Sequence, residues 1–308
     1  MFNLSVKSFF TLLKESFNSF FEREPFNSSI IVAYYTIFSL PGLLVIVINL
    51  AGYFFGKEAV TNQISMQIGS LVGSNAGHDI QNIVLKASES KGTVLSTILS
   101  VVTLLFGATG VFYQVQQILN KIWEVKPKPK QQIMKLVRDR LFSLGLIIIV
   151  GFLLLVSLVL SAALSAFSKW FSSNITDALP VLFSILDILV SIGVVTLLFA
   201  AIFKFLPDVK VPWKAVWPGA LLTAILFSVA KFLLGLYFGN SDPSSAYGAA
   251  GTIILIMLWV SYAGLILFYG AEFTKVYSMH SGVKIAPTET AEIAKSVKKE
   301  KDRVLGTN

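Results

Sequence analysis

The chain has no cysteine and only two histidines, His78 and His280. The first absence excludes a disulfide framework, a thiolate-held zinc and an iron–sulfur cluster. The second leaves too few imidazoles for the clustered ligands of a metal-dependent nuclease. Charge is scarce too: Asp, Glu, Lys and Arg make up 14% of the residues, against roughly 25% in soluble domains. No GxxxxGK[ST] loop is available to cradle ATP phosphates, and no GxSxG elbow to present a hydrolase serine. These absences argue against an enzyme, and no cofactor or metal is expected.

Apolar length takes the place of charge. Uncharged runs lie between Glu24 and Lys57, Lys91 and Lys121, Arg140 and Lys169, and Asp242 and Glu272. Crossing a hydrocarbon core of about 30 Å takes roughly 20 apolar residues in a helix, so each run can span. The pattern predicts an all-α polytopic membrane protein with six transmembrane helices, over residues 29–55, 93–123, 141–167, 179–205, 213–238 and 247–276. Lys and Arg fall in alternate connections: three before the first span, seven in the second connection, three in the fourth and seven after the sixth, against four on the other side. That asymmetry predicts both termini in the cytoplasm and a multi-pass place in the bacterial inner membrane.

Three segments lie outside the spans. Within residues 1–28, Phe2, Val6, Phe9, Leu13, Phe17 and Phe20 share one helical face, and Lys7, Thr11, Lys14, Asn18 and Glu22 the other. This is an amphipathic helix expected in the cytoplasmic interface. A helix packed on the cytoplasmic end of the bundle fits the same spacing. The Lys and Glu among its phenylalanines exclude a cleaved signal peptide. Residues 57–92 read as an external cap of two short amphipathic helices, and residues 279–308 as a polar tail, frayed or disordered. Alternate prolines keep Lys126-Pro127-Lys128-Pro129-Lys130 extended. These lysines are either a topology signal or a seat for anionic lipid headgroups.

Polar residues inside apolar spans are costly and mark candidate sites. In the second span Gly107, Gly110, Gln114, Gln117 and Lys121 share a face, either a packing seam or a polar cavity wall. The fourth span carries Pro180, Ser184, Asp187 and Ser191 on one face, the fifth Ala220, Ala224, Ser228, Lys231 and Gly235. Asp187 and Lys231 fall at similar depth, so the spacing predicts that both face the bundle interior and approach each other. Glu272 sits at the inner boundary of the sixth span, level with Lys121, Arg140 and Lys204 as salt-bridge partners. Pro41-Gly42 predicts an interruption of the first span.

Together the strings AYYTIFSLPGLL, LFGATGVFYQVQQILNKIWEV, FKFLPDVKVPWKAVWPGALLTAILFSVAKFLLGLYFG and SSAYGAAGTIILIMLWVSYAGLILFYGAEFTKVY resemble the YihY/virulence factor BrkB family of bacterial inner-membrane proteins. Matching positions include Tyr34, Pro41, Gly107, Gly110, Asn120, Trp123, Asp208, Lys231, Gly248, Gly251, Gly270 and Glu272. The resemblance implies six spans, and a link to serum resistance and to movement of lipids or lipopolysaccharide precursors. An old ribonuclease label attached to that family looks like a misassignment.

The resulting expectation is a transporter or translocator of a lipid or lipid-linked anionic substrate. Lys231, Asp187, Gln114, Gln117, Tyr34 and Glu272 would line its path, and Pro41, Gly107, Gly110, Gly235, Gly248 and Gly251 would shape the helices. The other reading is a non-transporting scaffold for envelope assembly. Membrane lipids are the expected partners; nucleic acid is not, and an oligomer is compatible with either reading.

Overall fold

Nearly everything regular in this protein is helix. The structure, a computed structural model, describes residues 6–72, 94–128, 179–240, 249–283 and 285–294, with the single positions 82 and 145. The expected third span, Arg140, Gly248, the second half of the 57–92 segment and the end of the tail lie outside the described residues. The elements are α1 (Val6–Glu22), α2 (Pro25–Phe55), α3 (Lys57–Val72), α4 (Val94–Ile122), β1 (Val125–Pro127), α5 (Leu179–Phe205), α6 (Trp213–Asn240), α7 (Ala249–His280) and β2 (Ala291–Ile293). Among the described residues, Ile185–Phe205, Trp213–Leu236 and Gly251–His280 are long and apolar enough to cross a membrane.

Local chemistry sets the helix ends. Pro25 opens α2, where its missing N–H would have had no helical partner. Gly56, at φ 85°, closes α2 by donating its N–H to Gly52 O at 3.0 Å, and α3 follows at once. α3 packs back against α2 and α7. Val60 and Ile64 pack with Leu44 and Ile48 of α2 and Leu255 and Ile256 of α7. α7 ends in a Schellman turn: Gly282 has φ 64°, and the Val283 N–H reaches back to Ser278 O at 3.1 Å. α2 stays helical through Pro41. α4 and α7 both pack against α2.

Small residues bring the helices together. An added Cβ at Gly219 would fall 1.8 Å from Thr274 Oγ1, and one at Gly270 1.8 Å from Thr223 Oγ1. Each threonine hydroxyl donates within its own helix, Thr223 to Gly219 O at 2.6 Å and Thr274 to Gly270 O at 2.7 Å. Two Gly-x-x-x-Thr pairs therefore interlock across antiparallel α6 and α7. Gly107 and Gly110 lie against Phe38, Ser39 and Tyr35, seating α4 on α2. Gly251 is buried in α7, whereas Gly235 has open space around it and joins no seam.

The tail is folded well past residue 279. β2 pairs antiparallel with β1, with Lys126 opposite Glu292 and Pro127 opposite Ala291. The Ala294 N–H donates to Glu124 O and the Lys128 N–H to Thr290 O. Pro127 thus falls at a register position that needs no N–H donor, as strand pairing requires of a proline. Before it reaches β2, the tail serves the buried turn between α5 and α6. Lys210 N–H donates to Ala286 O and Thr288 N–H to Asp208 O, each at 2.9 Å. A frayed tail was expected because few bulky apolar residues mark it. It folds through backbone bonds, which leave little trace in composition.

Replacing Gly219 or Gly270 with alanine should lower stability by about 1–3 kcal/mol through overpacking, read as a drop in thermal midpoint in detergent. Gly235→Ala should be neutral or stabilising; equal loss at all three positions would refute the interlock.

Candidate functional site

At the end of the bundle that carries α1 and the tail, two polar clusters meet. The first is a chain of alternating charges. The Glu272 side chain on α7 is fully buried, 0% exposed. Ser19 of α1 donates to its Oε2 at 3.0 Å. Arg23 Nε lies 2.5 Å from its Oε1 as an ion contact set off the N–H axis. The same guanidinium donates to Glu124 Oε1 at 2.7 Å and to Lys121 O at 2.9 Å. Lys275 Nζ completes the chain with Glu124 Oε1 at 2.7 Å. A small crevice beside it is bordered by Phe20, Pro25, Ile118 and Phe268.

Backbone strain accompanies these charges. Glu24 and Glu124 are the positive-φ residues other than glycine among the described ones, at 53° and 58°. That region suits glycine, and holding another residue there costs of order 1–3 kcal/mol. Glu124 is held there by its two cations. Burial opposes its charge, but the hydrogen bonds from Lys275 and Arg23 outweigh burial and keep its carboxyl below the ordinary value of 4.5.

The second cluster surrounds Asp208, buried in the turn between α5 and α6. Asn120 donates to Asp208 Oδ2 at 2.7 Å and accepts the Asp208 N–H at 2.8 Å. Gln116, one turn earlier on α4, reaches Oδ1 at 3.5 Å. Lys204 Nζ donates to Val211 O and lies 5.6 Å from the Trp213 ring centroid. Among the described residues no group of His and acidic side chains could hold a metal ion. The arrangement neutralises and locks: two acids, two cations and an amide clamp tie α1, α4, α7, the α5–α6 turn and the tail into one closed end.

Several expected site residues lie elsewhere. Glu272 pairs with Arg23 rather than with Lys121 or Lys204, because α1 folds back on α7 and its last basic residue arrives first. Gln114 and Gln117 are only half-buried, and the buried amides are Gln116 and Asn120. Tyr34 is exposed, with its ring against Phe38 and Tyr35. Asp187 is half-buried and engaged, and Lys231 is exposed and makes no ion pair among the described residues. Lys231, Phe232 and Leu233 are exposed in succession. At 3.6 residues per turn they sweep about 200° of the helix, so more than half of the α6 circumference is exposed at this level. Lys126 lies 3.2 Å from Glu292 and Lys128 donates to the Glu289 carbonyl at 2.7 Å. Arg23, Glu124 and Lys275 looked like boundary charges in the sequence; only an acid buried at the same level, Glu272, hinted at a partner.

The sequence profile of the family described as virulence factor BrkB matches residues 16–293. That range takes in Ser19, Arg23, both polar clusters and β2. A UPF0761 membrane protein of Saccharophagus degradans is 24% identical over 88% of this chain and 61% of its own length. One from Teredinibacter turnerae is 27% identical over 87% and 60%. One from Tolumonas auensis is 30% identical over 52% and 50%. The chain thus spans about 60% of the length of the first two. No solved structure matches it.

Arg23→Ala leaves Glu272 buried without its cation and should cost about 3–5 kcal/mol. Adding Glu272→Gln should recover part of that loss, and an additive double variant would sink the pairing. The lowered Glu124 value fixes a sign for pH: its contribution is complete above 4.5 and is lost as pH falls through the depressed value. Acid melting curves should therefore steepen below that pH in the wild type and flatten in Glu124→Gln.

Proposed function

The chain belongs to the virulence factor BrkB family and is a multi-pass protein of the inner membrane; on that premise we propose that it translocates an amphiphile with an anionic headgroup. Six spans with both termini cytoplasmic place the interlocked end on the cytoplasmic side, following the excess of Lys and Arg there.

One observation carries the reading. Lys231 stands exposed on α6, five residues inside the apolar stretch Trp213–Leu236 and beside Val229, Phe232, Leu233 and Leu236, all exposed. That places its Cα about 7–8 Å below the end of the stretch. A cation there needs an anion or water. A lipid phosphate drawn inward along α6 would supply the anion while its acyl chains stay in the bilayer. The locked opposite end supports a gated pathway rather than an open pore. ATP does not enter this scheme, so a gradient or plain equilibration drives the movement. The acids are held by cations and amides, which favours transport over catalysis.

A scaffold role has one observation in its favour: the folded clasp of β1, β2 and the α5–α6 turn is a built surface at the presumed cytoplasmic end. Scaffolding would tolerate loss of Lys231 but not of the clasp.

In proteoliposomes, wild-type protein should move fluorescent phosphatidylglycerol between leaflets faster than protein-free vesicles do. Lys231→Ala should slow this about tenfold, the worth of one charge-assisted hydrogen bond, and Lys231→Arg should retain most of it. Equal rates for wild type and Lys231→Ala would remove Lys231 from any path.

A further inference from the structure

α1 divides its circumference into three sectors. Leu12, Ser16 and Phe20 are buried, with Leu13, Ser19 and Arg23 partly so. They face α7, where Leu12 packs with Phe273 and Val276 and the Phe20 ring meets Tyr269 edge-on at 5.7 Å. Thr11, Lys14, Glu15, Asn18 and Glu22 are exposed and polar. Between these lies a third, largely exposed sector, which meets the bundle at Phe26 of α2. Phe10, Phe17 and Phe21 are 65%, 53% and 46% exposed. Their spacing of seven and four keeps them on one line of the helix.

Exposed aromatics in a row ordinarily signal a covering partner. Rolling cannot hide these, because the rotation of α1 is fixed. Arg23 and Ser19 both hold Glu272, and the Tyr269 hydroxyl donates to Leu13 O at 3.3 Å. The row also continues along the chain. Phe17 stacks near Phe21 at 4.7 Å and Phe21 near Phe26 at 6.0 Å. Phe26, Ile30, Tyr34 and Phe38 then carry the exposed surface down α2. In an apolar helix of a membrane protein, that surface is lipid-facing.

We propose that the Phe10–Phe17–Phe21 sector of α1 is seated in the acyl-chain boundary of the bilayer, with lipid headgroup phosphates bound at the Lys14 edge. The buried sector faces protein, the aromatic sector lipid, and the polar sector water. Lys14 stands at the border of the last two. A lysine there reaches a phosphate while its methylene stem lies on the phenylalanines. α7 has 32 residues, about 48 Å at helical rise, well over the ~30 Å hydrocarbon core. Its last turns, where α1 docks, therefore stand in the interfacial layer. This seat does not depend on transport.

The absence of cysteine makes the test clean. Phe17→Cys, Phe21→Cys, Asn18→Cys and Ser16→Cys are each spin-labelled in full-length protein in phosphatidylethanolamine–phosphatidylglycerol vesicles. Collision with oxygen, which concentrates in lipid, is compared with collision with a water-soluble nickel chelate. Labels at 17 and 21 should favour oxygen, the label at 18 nickel, and the label at 16 neither. Nickel access at 17 and 21 equal to that at 18 would overturn the seat. So would shielding from both reagents together with oxidative cross-linking of Phe17→Cys between copies, since a second copy would then cover the sector.

Discussion

A carboxylate with none of its side chain exposed must be met by a cation, and Arg23 meets Glu272. Much of the architecture follows from this contact. Arg23 ends an amphipathic helix, so placing it fixes the rotation of α1 and decides which phenylalanines face α7. The turn at Glu24 has to bring the guanidinium over α7 before α2 begins. The unused nitrogens of Arg23 then engage Glu124 and the Lys121 carbonyl, drawing the end of α4 into the same corner. Such a pair adds little net stability over an apolar one, because desolvation offsets the attraction. Its effect is on specificity: one docking of α1 satisfies both charges.

Helices in lipid gain little from burying apolar surface against each other, so close packing and internal hydrogen bonds have to hold them. The Gly219–Thr274 and Gly270–Thr223 contacts do this between α6 and α7, and Gly107 and Gly110 do it between α4 and α2. The α6–α7 seam, like the charged chain and the Asp208 clamp, lies toward the end where α1 docks, and the α4–α2 seam lies midway along its helices. Toward the other end of α6, Lys231 is exposed, and among the described residues none approaches a Cβ at Gly235.

Helix positions were legible because hydropathy and charge reveal where a chain can cross lipid. The range 179–205 coincides with α5, and α6 begins at Trp213 as expected. Azimuth was not legible. Gln114 and Gln117 share a helical face, yet Gln116 and Asn120 are the buried amides, because the turn holding Asp208 approaches α4 from another side. Depth alone joined Asp187 to Lys231, but equal depth says nothing about whether two helices are still in contact at that level. The folded tail was missed for a related reason: its order comes from backbone bonds to β1 and the Asp208 turn, contributed by segments far away in sequence.

What the sequence determined by itself is the solvent of each segment and its local conformation. Apolar runs, boundary charges and the alternate prolines act within a few residues, so a linear reading captures them. Only the tertiary structure decided which ionisable group meets which. Glu272 and Arg23 are separated by most of the chain, and their encounter depends on how α1 lies on α7. The exposure of Lys231 depends likewise on how α6 packs against the rest of the bundle. Both are set by helix crossing, which arises from packing between surfaces and is not written in the periodicity of either one.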